Sequence, residues 1–169
     1  TSGYRRSLAL GGSTFDGSAL HGHLALGPGG DAALLEVLGP RGLGGLVVLG
    51  EGETRYETAL AEAADERPDR IAVTQDFDDA LARRIYAGAD FFLMPSLYEP
   101  CGLGQMIAQR YGTPPIVRRT GGLIDTVRDG RTGLVFDAPD AAALVQAVRR
   151  ARDLWRGPEW NPLRRRCMT

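Results

Sequence analysis

Short apolar runs alternate with amphipathic stretches from residue 45 onward. The apolar runs predict buried strands at 46–49, 70–74, 90–94, 115–118 and 134–136. The stretches between them predict helices. The first has Tyr56, Ala59, Leu60 and Ala63 on one face and is ended by Pro68. Further helices are predicted at 78–87 and 102–111, as a short turn after Gly122, and from an Asp140 cap onward. This alternation is typical of βαβ units, so we predict an α/β fold with a Rossmann-like parallel sheet flanked by helices.

The first 44 residues are the least defined part of the chain. They hold many of the 23 glycines and show no strong period; weak patterns at 8–10, 24–26 and 31–38 suggest strand, strand and helix. The chain stops just after a basic run at 164–166, which resembles an interrupted helix. We therefore predict one domain over residues 1–155 and the start of a C-terminal extension, cut short, over 156–169.

Composition narrows the possible functions. The 169 residues are enough for one buried core, and 20 basic side chains nearly balance 21 acidic ones, so no strong field favours nucleic acid or a membrane surface. Apolar runs are a few residues long, against roughly 20 for a membrane span. With two cysteines and no signal-like start, a reducing cytoplasm is expected. The spacing of His21, His23 and the cysteines matches no standard zinc site, so no metal is predicted.

The richest chemistry lies at 95–105, between a predicted strand and a predicted helix. Ligands of parallel sheets bind beyond the carboxyl ends of strands. Gly102 and Gly104 at the helix start allow close approach to the backbone, and free N–H groups there suit a phosphate or diphosphate. The carboxylate of Glu99 can accept hydrogen bonds from sugar hydroxyls. It could equally cap the helix that follows.

Several motifs occur in one order: ADFFLMPS at 89–96, EPCGL at 99–103, QMIA at 105–108, RYGT at 110–113, RTGGL at 119–123 and DTV at 125–127. Together they resemble the signature of bacterial glycogen synthases and plant starch synthases, which are retaining glucosyltransferases built from two facing Rossmann-like domains, the GT-B arrangement. The resemblance covers about residues 45–155, with a weaker match at 165–168. It implies that this chain is the C-terminal, nucleotide-sugar-binding half.

The resemblance also implies roles for individual residues. Glu99 would hydrogen-bond the glucose hydroxyls as the catalytic-site carboxylate. The residues implied to bind the donor are Phe77, stacked on the adenine, Cys101, Gly102, Leu103 and Gly104 around the diphosphate, Thr120, Gly121 and Gly122 on the phosphate side, and Gly50 and Gly52 at the nucleotide. Phe77 could instead be a half-buried loop aromatic, and Gly50 and Gly52 could each simply form a tight turn. Arg118 or Arg119 could face the ligand, or both could be solvated.

The implied reaction moves glucose from ADP-glucose or UDP-glucose to the non-reducing end of an α-1,4-glucan, with retention and without metal or cofactor. The implied partners are the donor, the glucan acceptor and an N-terminal GT-B domain, with no nucleic acid and no membrane. We expect the isolated domain to bind the donor weakly and to transfer nothing. The bacterial cytoplasm is the expected location, and a plastid is the second choice.

Three departures from the family pattern leave alternatives open. The alignment puts Leu24 and Gly29 where relatives have an arginine and a lysine that neutralise the leaving diphosphate, and many relatives have threonine at the position of Gly104. The chain could therefore be a weak enzyme or a non-catalytic nucleotide-sugar-binding or regulatory module. It could also be misaligned or incomplete between Gly11 and Gly30. A dinucleotide-dependent dehydrogenase fits poorly, because Arg55 stands where the third fingerprint glycine belongs.

Overall fold

A computed structural model describes residues 8–10, 45–50, 54–75 and 78–169. The described strands form one parallel sheet of six: β1 (Leu8–Leu10), β2 (Leu46–Leu49), β3 (Ile71–Thr74), β4 (Phe91–Met94), β5 (Pro115–Arg118) and β6 (Leu134–Phe136). Each strand that the pattern predicts from residue 45 onward is present, two of them one residue shorter at the start. The weak strand at 8–10 is confirmed. The suggested strand at 24–26 and helix at 31–38 lie outside the described residues.

The helices between and after the strands are α1 (Thr54–Glu66), α2 (Asp79–Gly88), α3 (Gly104–Arg110), α4 (Leu123–Thr126), α5 (Ala141–Arg156) and α6 (Trp160–Cys167). Two of them begin at aspartate caps. The Asp78 carboxylate accepts a hydrogen bond from the backbone N–H of Leu81 at 2.9 Å, and Asp140 accepts one from Ala143 at 2.8 Å. Such caps satisfy N–H groups that a helix start leaves unpaired, and they fix where α2 and α5 begin.

Both faces of the sheet are covered by helices. On one face, Phe91 and Leu93 of β4 pack with Leu144 and Val148 of α5; on the other, Phe92 and its neighbours pack against α3 and α4. Alternate residues of a strand point to opposite faces, so a strand buried on both sides is a continuous apolar run. This is why the strands appear in the sequence as unbroken hydrophobic segments.

The order of strands across the sheet is β3-β2-β1-β4-β5-β6. The chain moves outward from β1 to β3 and then returns to place β4 beside β1, with Leu8 opposite Phe91. A sheet of this order has its ligand crevice at the carboxyl ends of the two central strands. The segment that follows Met94 at the end of β4 therefore starts at the crevice.

Residues 156–169, which the sequence pattern sets apart as an extension, carry helix α6. Leu163 of this helix is fully buried, and the ring of Trp160 lies 5.0 Å from that of Phe91. Arg164 Nε donates to the carbonyl oxygen of Gly112 at 2.9 Å. Burial also raises the pKa of the Cys167 thiol to about 11. The helix is thus packed against the sheet domain, and the boundary at residue 155 stays a prediction.

Candidate functional site

Two loops meet at the carboxyl edge of the sheet. The β4 loop (residues 95–103) follows Met94, and the β5 loop (residues 119–122) follows Arg118. Their backbones are hydrogen-bonded: the N–H of Gly122 donates to the carbonyl oxygen of Glu99 at 2.9 Å. The hydroxyl of Thr120 donates to the carbonyl oxygen of Leu97 at 3.3 Å. The sequence motifs around 99 and 120 are therefore brought together in space, as the resemblance implies.

Arg118 helps to hold the β4 loop in place. Its Nε donates to the carbonyl oxygen of Ser96 at 2.8 Å, and its guanidinium also donates to the carbonyl oxygen of Leu97. Arg119 instead pairs with Asp137 at the surface. The prediction that both side chains are solvated is therefore wrong for Arg118, which donates to backbone carbonyls, while Arg119 is exposed to solvent and pairs with a carboxylate.

Gly121 and Gly122 are required by the close approach of the two loops. Gly121 has φ +44°, and a Cβ built on it would overlap the carbonyl group of Glu99, with the carbonyl carbon at 2.7 Å. A Cβ on Gly122 would lie 2.7 Å from the carbonyl oxygen of Cys101. The obstacles are backbone atoms, which cannot move aside as a side chain can. These glycines allow the loops to touch, whatever else they do for a ligand.

Glu99 is buried to 9% residual exposure within the β4 loop. The N-cap of α3 is Leu103, and no side chain caps this helix, so the helix-cap interpretation of Glu99 is wrong. Among the residues that the structure describes, none donates a hydrogen bond or forms an ion pair to the Glu99 carboxylate. A carboxylate in this position has its acceptor oxygens available for hydroxyl groups that enter the crevice.

The start of α3 is packed tightly. Gly102 has φ +68°, in the left-handed region that favours glycine, and a Cβ on it would meet the carboxamide of Gln105. A Cβ on Gly104 would lie 3.2 Å from the Phe92 ring and 3.4 Å from the Tyr86 hydroxyl. Burial raises the pKa of that hydroxyl. Gly104 therefore sits against an aromatic pair that sequence reasoning did not connect with the site.

The other predicted donor-binding residues are spread around these loops. Cys101 is an exposed free thiol, Leu103 is exposed, and Thr120, within the β5 loop, is buried. Gly50, at the end of β2, has φ +138° and donates its N–H to the carbonyl oxygen of Thr74 at 3.0 Å. Gly52 and Phe77 lie outside the described residues, as do Leu24 and Gly29.

Sequence reasoning missed Gln105, which is fully buried at the base of the β4 loop. Its Nε2 donates to the carbonyl oxygens of Gly102 at 2.8 Å and Cys101 at 3.3 Å and to the hydroxyl of Thr126 at 3.0 Å. The only signal in the sequence was a polar residue on the helix face that also carries Ala108. Within the described ranges, no group of three His, Cys, Asp or Glu side chains could hold a metal ion. No helix in that part of the chain is long and apolar enough to cross a membrane.

A family model described as "Glycosyl transferases group 1" matches residues 34–153, which include the whole of both loops. The chain belongs to this family of glycosyltransferases. Glycogen synthase 1 of Methylococcus capsulatus is 52% identical over 123 residues, covering 68% of this chain and 25% of that protein. The glycogen synthase of Anaeromyxobacter dehalogenans is 51% identical over 129 residues, covering 73% of this chain and 27% of that protein. The chain thus spans about a quarter of the length of these curated relatives.

Solved glycosyltransferases share the fold. The catalytic domain of starch synthase IV from Arabidopsis thaliana, bound to ADP and acarbose, superposes with a TM-score of 0.79 at 30% identity, over 99% of this chain and 35% of that one. HepE from Anabaena, in complex with UDP-glucose, superposes with a TM-score of 0.71 at 17% identity, over 96% of this chain and 42% of that one. The resemblance to glycogen and starch synthases is confirmed, and so is the Rossmann-like half of a GT-B glycosyltransferase.

Proposed function

We propose that this glycosyltransferase domain binds the donor of a glycogen synthase-like enzyme, which transfers glucose from ADP-glucose or UDP-glucose to the non-reducing end of an α-1,4-glucan with retention. The observation that carries the proposal is Glu99. Glu99 is a largely buried residue at the crevice edge of the sheet, its backbone is bonded to the β5 loop, and no described residue donates a hydrogen bond to its carboxylate oxygens. Its carboxylate oxygens would accept hydrogen bonds from the glucose hydroxyls.

The remaining donor contacts follow from the loops. The backbone N–H groups of Gly102, Leu103 and Gly104 would hold the diphosphate, with the exposed thiol of Cys101 in the same loop and Thr120, Gly121 and Gly122 on the opposite side. These N–H groups stabilise charge that develops as the diphosphate leaves, which is the electrostatic part of the catalysis and needs no metal. Phe77 would stack on the base, and Gly50 and Gly52 would allow the nucleotide to approach.

The acceptor glucan and further catalytic groups would come from an N-terminal Rossmann-like domain across the cleft. The curated relatives are about four times as long as the matched region, which leaves room for such a domain. Several large apolar side chains of the described residues are exposed around the two loops, on α3 and on α4: Leu97, Tyr98, Leu103, Met106, Ile107 and Ile124. Apolar surface next to a site is typical of a contact with another domain. This chain alone is expected to bind donor weakly and to transfer no glucose.

Glu99→Gln tests the sugar contact. We expect the variant to bind ADP-glucose about tenfold more weakly while its affinity for ADP stays unchanged, because only the sugar hydroxyls use the carboxylate and a charged acceptor is stronger than a neutral one. Isothermal titration calorimetry with ADP, ADP-glucose and UDP-glucose measures this. Glu62→Gln, on the exposed side of α1, is the matched control. An equal loss for ADP and ADP-glucose would show that Glu99 does not read the sugar.

Phe77→Ala tests the base contact. Stacking of an aromatic side chain on a base contributes about 1–3 kcal/mol, so the variant should bind ADP roughly tenfold or more weakly. The same titration with UDP and NAD establishes the base preference of the wild-type chain. Unchanged ADP affinity would leave Phe77 as an ordinary loop aromatic. Tight NAD binding would instead favour a dinucleotide enzyme.

A non-catalytic nucleotide-sugar-binding or regulatory module is the second candidate function. It rests on Leu24 and Gly29, uncharged residues at the positions where the family resemblance implies an arginine and a lysine that neutralise the diphosphate. Loss of such a charge removes several kcal/mol of transition-state stabilisation in comparable sites, on the order of 3 kcal/mol. Donor binding without glucose transfer, after an N-terminal half has been supplied, would favour this candidate over the enzyme.

A further inference from the structure

Among the side chains of the described residues, only that of Gln105 has a buried polar atom without a hydrogen-bond partner. Its Nε2 carries two hydrogens and is placed among three acceptors, the carbonyl oxygens of Cys101 and Gly102 and the hydroxyl of Thr126. Its Oε1 is buried and accepts no hydrogen bond there. A methionine would fill the same volume without an unpaired oxygen, so packing alone does not explain a glutamine at this position.

The two carbonyls that Gln105 holds belong to the peptide units at the turn into α3. No peptide bond in the described residues is cis, and in a trans peptide the C=O and the N–H point in opposite directions. The C=O of Cys101 shares its plane with the N–H of Gly102, and the C=O of Gly102 shares its plane with the N–H of Leu103. Pulling both carbonyls toward Gln105 therefore turns both N–H groups away from it.

These two N–H groups have no acceptor within the part of the chain that the structure describes. They are also among the groups proposed above to hold the diphosphate. The carboxamide thus fixes the direction of donors that it does not itself supply. A glycine is needed at position 102 for this geometry, because any side chain there would displace the Gln105 carboxamide.

The same carboxamide connects the β4 loop with the β5 loop. The hydroxyl of Thr126, which accepts from Gln105 Nε2, donates to the carbonyl oxygen of Gly122 at 3.0 Å. Gly122 in turn donates its N–H to the carbonyl oxygen of Glu99. One buried side chain is therefore bonded to the base of the β4 loop and, through one hydroxyl, to the β5 loop.

We propose that Gln105 is a positioning residue of the donor site: its carboxamide orients the peptide units 101–102 and 102–103 so that their N–H groups face the diphosphate of a nucleotide sugar. This inference rests on the proposed function, since it assumes that a nucleoside diphosphate binds at these loops. It adds a residue that does not touch the donor but sets the direction of the groups that do.

Gln105→Met, compared with Gln109→Met, tests the proposal. Gln109 lies one turn later on α3, is also buried, and its Nε2 also donates to two backbone carbonyls, those of Thr126 at 3.1 Å and Thr132 at 3.2 Å. Neither carbonyl belongs to the β4 or β5 loop. The two substitutions therefore remove similar bonds from one helix, and only one of them frees the proposed diphosphate-binding peptides.

We expect Gln105→Met to weaken binding of the nucleoside diphosphate, ADP or UDP, by about tenfold, and to leave adenosine or uridine binding within about twofold. Gln109→Met should change neither affinity by more than about twofold. Titration calorimetry of the 169-residue chain gives the diphosphate and nucleoside affinities of each variant relative to the wild type. A purely structural role would lower the unfolding temperature in both variants without changing the ratio of diphosphate to nucleoside affinity, and that result would overturn the proposal.

A second readout separates this inference from the proposed function. In the amide NMR spectrum of the unliganded chain, the Gly102 and Leu103 resonances should move in Gln105→Met and stay in place in Gln109→Met, because only the first variant releases their peptide units. If the wild-type chain binds neither nucleotide nor nucleoside at millimolar concentration, the proposed function fails while this shift still reports on the orientation. Unmoved Gly102 and Leu103 resonances in Gln105→Met would refute the positioning role.

Discussion

Gly121→Ala is expected to lower the free energy of unfolding by about 3 kcal/mol or more and to abolish donor binding. Two effects add. A left-handed φ costs a residue with a Cβ about 1–2 kcal/mol. In addition, the new methyl group would overlap the carbonyl group of Glu99, so the β4 and β5 loops must separate. Urea denaturation followed by circular dichroism gives the change in stability, and calorimetry with ADP-glucose gives the change in binding.

Gly130→Ala is the matched control for this prediction. Gly130 also has a left-handed φ, +68°, but nothing lies within 4 Å of a Cβ built on it. Its substitution should therefore cost only the conformational term, about 1 kcal/mol, and should leave donor binding unchanged. Equal losses of stability in the two variants would mean that the loops part easily and that their contact does not hold the site together.

Leu163→Ala is expected to destabilise the domain by about 2–4 kcal/mol, because it deletes a fully buried side chain and leaves a cavity between α6 and the sheet domain. The helix is held there by further contacts, including the tilted ring contact of Trp160 with Phe91 and the hydrogen bond from Arg164 to the carbonyl oxygen of Gly112. The loss should appear in a single cooperative transition, measured by thermal or urea unfolding, since α6 then folds with the sheet.

Arg165→Ala is the control on the same helix. Arg165 is exposed, and its substitution should change the stability by less than about 0.5 kcal/mol. If Leu163→Ala also has no effect, or if α6 melts in a separate transition, residues 156–169 are an appended segment. In that case the boundary predicted at residue 155 separates the folded domain from an extension that contributes little to its stability.

Most residues of the proposed site were predicted through its motifs, because the motif residues are contiguous along the chain. Glu99 and Gly102 lie within one stretch of eleven residues, and the resemblance of that stretch to glycogen synthases implies that they contact the donor. Gln105 belongs to the same stretch, yet its role was not found. A buried glutamine and a solvated one have the same letter, and only the position of Thr126, 21 residues further along the chain, distinguishes them.

The contacts of Arg118 were likewise not predictable from its place in the sequence. Its place at the end of a predicted strand, next to the site motifs, made it a candidate to face the ligand or the solvent. The structure directs it to the carbonyl oxygens of Ser96 and Leu97, 22 and 21 residues earlier in the chain. A guanidinium satisfies several carbonyls at once, so it is suited to fixing a loop, but the loop must first be brought near by the pairing of β4 with β5.

The sequence by itself determined the kind and approximate position of the strands and helices between residues 45 and 156, because hydrophobic periodicity and aspartate caps act over a few residues. It also determined the family, since its motifs occur as contiguous runs. Only the tertiary structure decided that β1 and β4 are neighbours, that Gly121 touches Glu99, that Gln105 joins two loops and that α6 is buried in the domain. Each of these depends on contacts between residues far apart in the chain, whose free energy is set by how whole elements pack rather than by local spacing.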